Sequence, residues 1–192
     1  MEEISSSFLR PISISAEEVK QHAANLEAFK QKGSTEDLPE APKFYEIAEA
    51  KDLATPYYVA VLFTAEYAPP CLQFLPQFDS FMEQMNKDSL RMQVVVVNCD
   101  KSQREYDEHI KKLSPKYLVV PFENSEAAIK LEDKAQAQNI PRVSVFISGR
   151  GFEQFATLDI KKTIIKSHNM AEAVTEVLSH LQWNKITAFL LI

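Results

Sequence analysis

A chain of 192 residues, 45% hydrophobic and 25% charged, has the length and balance of one globular domain with appendages rather than two full domains. Its net charge of -6, without any long block of Lys or Arg, argues against nucleic acid or an anionic membrane as the main partner. No segment approaches the length of a membrane span, and the opening Met-Glu-Glu-Ile lacks the pattern of a secretion signal or a mitochondrial presequence, which makes a cytosolic address the default expectation.

The first 42 residues read as an arm with one helix and a linker. Ser15-Ala-Glu-Glu18 is a capping box, and Val19, Ala23, Leu26 and Phe29 then recur at helical spacing, predicting a helix over 16–31. A polar connector punctuated by Gly33, Pro39 and Pro42 follows. From residue 43 the pattern alternates between strands and helices, which argues for an α/β sheet with crossover connections over 43–183. Phe44 to Ile47 is a short strand, Glu49 to Leu53 a short helix, and Tyr58 to Phe63 a central strand. The helix beginning near Leu72 carries Leu75, Phe78 and Met82, with Pro76 inside it to impose a bend. Met92 to Val97 has the composition of a strand buried on both faces. Ser102-Gln-Arg-Glu105 is a second capping box, opening a helix that turns Tyr106, Ile110 and Leu113 inward. Ser125 caps another, with Ala128, Leu131 and Ala135 on its buried side. Val143 to Ile147, a turn at 148–151, and Phe152 to Ala156 read as a hairpin. A last helix runs from a cap at Asn169 to Leu181, leaving 184–192 as an apolar tail.

The stretch richest in chemical information is Tyr67-Ala68-Pro69-Pro70-Cys71, a Pro-Pro turn between an apolar strand and a helix. A thiol at a helix N-terminus has its pKa lowered by the partial positive charge there, but Ala68 has no thiol to lower. The order of elements resembles the thioredoxin fold, and the residues resemble its tryparedoxin and nucleoredoxin branch. Ala65-Glu-Tyr-Ala-Pro-Pro-Cys71 is similar to that family's Ala-Ser-Trp-Cys-Pro-Pro-Cys, and Phe74-Leu-Pro76 to its Phe-Thr-Pro. Val95-Val-Val-Asn-Cys-Asp100 is similar to its strand ending in Asp. Tyr117-Leu-Val-Val-Pro-Phe122 and Ser125-Glu-Ala127 are similar to its Trp-Leu-Ala-Val-Pro-Phe and Ser-Glu-Ala signatures, and Ile140-Pro141 sits where the family carries its cis-proline. Three departures stand out: Tyr67 replaces the tryptophan, Ala68 the attacking cysteine, and Pro115-Lys116 is an extra step before the Tyr-Leu-Val-Val-Pro segment.

By that resemblance Cys71 matches the resolving thiol, which acts only after the first has attacked. The leading expectation is therefore a redox-inactive thioredoxin-like protein that binds protein partners, as a subunit of a larger assembly, with no catalytic residue. The alternative is a monothiol oxidoreductase or peroxidase working through Cys71, and a Cys71 to Cys99 disulfide is a further arrangement the sequence leaves open. Pro141 either shapes its strand entry or keeps a peptide-binding groove facing the loop. Asp100 reads as a capping or turn residue and Glu66 as solvated. Two cysteines are too few for a cysteine-rich zinc site, and His22, His109, His168 and His180, without paired ligand spacing, read as surface or packing residues. Neither metal nor cofactor is expected. Membership of a mitochondrial or ciliary complex is compatible with the sequence but does not follow from it.

Overall fold

The structure, a computed structural model, describes residues 7–11, 45–49, 58–147 and 160–190, together with most of 17–27. The sheet is built outward from β3 (Tyr58–Thr64) and β4 (Met92–Asn98), which pair in parallel from Tyr58↔Met92 to Thr64↔Asn98. Both strands are apolar on both faces, and alternation sends their side chains to opposite sides of the sheet. Tyr58, Ala60 and Leu62 with Met92, Val94 and Val96 enter one core, while Val59, Val61 and Phe63 with Val95 and Val97 enter the other. β6 (Arg142–Ile147) pairs antiparallel with β3, and the two-residue β5 (Leu118–Val119) pairs parallel with β4. Two outer strands, β1 (Ser7–Pro11) and β2 (Tyr45–Glu49), complete a mixed six-stranded sheet of order β2-β1-β5-β4-β3-β6.

Helices cover both faces. The described residues between 17 and 27 are helical (α1), and Ala23, expected on an apolar stripe, is exposed. α2 (Pro69–Met85) runs through Pro76, whose exposed ring leaves Phe74, Leu75, Phe78, Phe81, Met82 and Met85 to fill the larger core. Phe78 stacks between Phe74 and Tyr117 at ring-centroid distances of 5.7 and 5.9 Å. α5 (Ile160–Lys166) and α6 (Met170–Leu190) lie on the same side, through Ile160, Ile164, Ala173, Val174, Val177 and Leu181. α4 (Ser125–Ala135) closes the other core with Ala127, Leu131 and Ala135. Asn86 fixes the turn from α2 into β4, accepting from the Arg91 and Met92 N–H groups at 2.9 and 3.0 Å and donating to the Met92 carbonyl at 2.8 Å.

Several elements differ from the sequence reading. The arm contributes β1 as well as a helix: Ser-Phe-Leu-Arg-Pro is too short to show a period, and pairing with β2 and β5 makes it a strand. α4 is capped by Asn124, whose side chain accepts from the Ala127 N–H, so Ser125 is the first helical residue and not the cap. α5 was missed because its buried Ile160, Thr163 and Ile164 are interleaved with lysines in a run of only 7 residues. α6 does not stop at Leu181 but continues to Leu190, since nothing in the apolar segment breaks its hydrogen-bond ladder. Glu49 belongs to β2. The rest of the expected helix at 49–53 and the second half of the expected hairpin, 148–156, lie outside the described residues.

Candidate functional site: the loop between β3 and α2

The β3–β4 pairing ends at Thr64 and Asn98, and the chain turns there into α2. Cys99 N–H donates to the Thr64 carbonyl at 2.8 Å, which brings Asp100 under the turn. Asp100, expected to cap or turn the chain, holds the loop. Its carboxylate, only 7% exposed, accepts the Glu66 N–H on both oxygens at 2.9 and 3.0 Å and the Tyr67 N–H at 3.4 Å. The loop is thus fixed by backbone donors converging on one charged acceptor, with no covalent link.

Ala68 stands at the N-cap of α2 in extended conformation and supplies no side-chain cap. Pro69 and Pro70, the first two helical residues, have no N–H to leave unpaired, and the Cys71 N–H turns back onto the Ala68 carbonyl at 2.8 Å. Around this point Tyr67, Pro69 and Pro70 are exposed, Tyr67 by 52%, whereas Cys71 is fully buried. Burial pushes the Cys71 thiol above its ordinary value, against the lowering effect of contacts from the Ala65 backbone and the Thr64 hydroxyl. Cys99 is driven further, up to about 12, by burial and by the charge of Glu132. Both thiols are free and unbonded to one another. β6 enters beside them: Arg142 pairs with Phe63, so the register carries Pro141, on a cis Ile140–Pro141 bond, to the level of Thr64 and the loop.

The structure also joins residues that the sequence reading kept apart. His109, read as a surface or packing residue without a role, is completely buried on α3 (Gln103–Ile110), with Nδ1 3.3 Å from Glu66 Oε2 and Nε2 3.2 Å from Thr64 Oγ1. Glu66, read as solvated, is only partly exposed and also pairs with Lys112. Burial opposes its ionisation, but Lys112 and His109 together outweigh that and hold the carboxyl below its ordinary value. Burial likewise keeps His109 below its ordinary value, despite the pull of Glu66 and Asp100. The missed signal was spacing: His109 lies three residues after Tyr106 and beside Ile110, on the stripe that α3 buries. At the start of α3 the Ser102 hydroxyl accepts from the Glu105 N–H at 3.3 Å and donates to the Glu105 carboxylate at 2.8 Å.

A separate cleft of about 680 Å³ lies where α2 ends and β4 begins, lined by Met82, Leu90, Met92 and Tyr117 and by the extra Pro115-Lys116 step. Its lining holds no thiol and no histidine, so it is no part of the loop chemistry. Among the described residues no cluster of His, Cys, Asp and Glu is grouped to hold a metal, and no helix is long and apolar enough to cross a membrane.

A parallel pair of strands, a helix springing from the turn after the first, and an antiparallel strand opened by a cis-proline facing that turn define a thioredoxin fold. Residues 57–151 match the protein family described as thioredoxin-like. Native tryparedoxin I from Crithidia fasciculata is 27% identical with a TM-score of 0.55, the match covering 63% of this chain and 80% of that one. A tryparedoxin I in which one cysteine is changed to alanine is 26% identical, also at 0.55, over 62% of this chain and 80% of its own. A thioredoxin from Wuchereria bancrofti shares the fold at 24% identity and a TM-score of 0.54, over 70% and 90%. No curated protein sequence matches. The chain has a thioredoxin-like fold and is similar to the tryparedoxins.

Proposed function

We propose that this is a redox-inactive member of the thioredoxin-like proteins, acting by binding protein partners as a subunit of a larger assembly. The observation that carries the reading is the state of the loop: an alanine occupies the N-cap, and the one thiol remaining in the turn is fully buried with its pKa raised. Disulfide exchange begins with an exposed thiolate, and neither Cys71 nor Cys99 supplies one near neutral pH. What the loop does present is an exposed Tyr67-Pro69-Pro70 surface, held rigidly by Asp100 beside the cis-proline turn. A fold kept in order around an absent nucleophile suits recognition without reaction, and a tryparedoxin I with a cysteine changed to alanine shares that fold. A cytosolic location belongs to the proposal, since unpaired thiols suit a reducing compartment.

Two measurements test it together. The purified protein should show no dithiol-dependent reduction of a model disulfide or peroxide. In an extract of its source it should elute well above its 21.9 kDa, with and without reductant. Turnover that disappears in Cys71→Ser would replace the proposal with the monothiol enzyme, and elution as a monomer throughout would remove the assembly.

A further inference from the structure

We propose that His109 is a pH-sensitive latch fastening the loop at 65–68 to α3, closed when its imidazole is neutral and released when it is protonated. The geometry fixes the direction of every hydrogen bond in the closed state. The ionised Glu66 carboxylate only accepts, so His109 Nδ1, 3.3 Å away, carries the ring hydrogen and donates it. A neutral ring then has only a lone pair at Nε2, and the Thr64 hydroxyl, 3.2 Å away and buried, must donate to it. His109 thereby links Thr64 on β3 to Glu66 in the loop, and Glu66 in turn pairs with Lys112 beyond α3.

Protonation places a hydrogen on Nε2, where Thr64 was donating. The hydroxyl must turn, and the Cys71 sulfur beside it is only a weak acceptor. The imidazolium also forms in a fully buried position. The charged groups that face it are Glu66 and Asp100, which favour it, and Lys112, which opposes it. Desolvation exceeds their net pull. Protonation therefore favours any state in which His109 reaches water, and that requires α3 to part from the loop.

The sign follows by linkage. An opened His109 titrates near its ordinary 6.5 and a latched one lower, so acidification through that interval raises the open population up to tenfold per pH unit, and above 6.5 the latch stays closed. This regulates the loop itself and holds whether or not Tyr67 docks a partner.

The experiment is amide hydrogen exchange at Glu66 and Tyr67, corrected for intrinsic rate, on the full chain between pH 7.5 and 5, with the His109 ring C–H followed by NMR. In the wild type, protection should be lost progressively over that range, and His109 should titrate below 6.5. In Glu66→Gln the His109 titration should move to lower pH, because the imidazolium loses its carboxylate; a residue that only fills space would not respond. In His109→Gln, which still offers a donor and an acceptor, the fall in protection should vanish. Unchanged wild-type protection, a His109 titration at or above 6.5, or a response that persists in His109→Gln overturns the latch. If His109→Gln does not fold, the wild type and Glu66→Gln decide the matter.

Discussion

Replacing Asp100 by alanine removes the acceptor on which the loop is hung. The Glu66 N–H, shared between both carboxylate oxygens at 2.9 and 3.0 Å, is a charge-assisted bond whose loss costs about 2 kcal/mol. The longer Tyr67 bond at 3.4 Å adds about 1 kcal/mol, because its donor is also left without a partner. Asp100→Ala should therefore destabilise the domain by about 3 kcal/mol, a fall in Tm of roughly 6–12 °C for a chain of this size. Asp100→Asn keeps one oxygen in place and gives up the charge, so about half of that loss is expected. Urea denaturation followed by far-UV circular dichroism measures both, with the slope checked for constancy so that a change in midpoint reads as a change in stability. Glu66 and Tyr67 amide exchange should accelerate in Asp100→Ala before the β3 and β4 amides do. A loss under about 0.5 kcal/mol, or equal losses in the two variants, would refute the view that a charged acceptor anchors this loop.

Ala68→Cys places a thiol at the N-cap of α2, and disulfide reductase activity should appear, whereas Ala68→Ser stays inactive; failure of the cysteine variant would mean that more than the nucleophile has been lost from the site. Cys99, with its thiol pushed up to about 12, has a thiolate fraction of about one in ten thousand at pH 8, so iodoacetamide should label it far more slowly in the native protein than in urea. Fast native labelling of Cys99 would contradict its described surroundings. Phe78→Ala empties a fully buried position between two rings and should cost about 3–5 kcal/mol by chemical denaturation. Deleting residues 186–192 should leave the domain folded by circular dichroism, since Ala173, Val174, Val177 and Leu181 hold α6 on the core, while reducing the native size in extract; a misfolded truncation would show that the tail is core.

The sheet interior was legible because β3 and β4 carry unbroken apolar runs, Val59 to Phe63 and Val94 to Val97, and a strand that feeds two cores needs apolar side chains at consecutive positions. The strand–loop–helix over residues 58–85 and the strand that follows Ile140-Pro141 followed from motif order, which carries three-dimensional information that composition lacks. What escaped was of two kinds. β1 and α5 are short, and their identity comes from the elements that pair with or cover them rather than from a local period. The Thr64–His109–Glu66–Lys112 chain escaped because its bonded partners lie 43 to 46 positions apart, each unremarkable alone, and because a histidine on a helix face has no meaning until the neighbouring element is known. Asn98, whose buried side-chain amide finds no acceptor among the described residues, was equally invisible.

The position of β1 has a bearing on how the protein comes into being. β1 pairs with β2 on one side and with β5, through Leu9 and Val119, on the other. The β3–α2–β4 unit can collapse from neighbouring pieces of chain, but β1 must wait for β5 before its second edge is satisfied. During synthesis the edge of β1 that later meets β5 is therefore unpaired, open to another growing chain or to a chaperone, and completing the sheet becomes a late event in the protein's production.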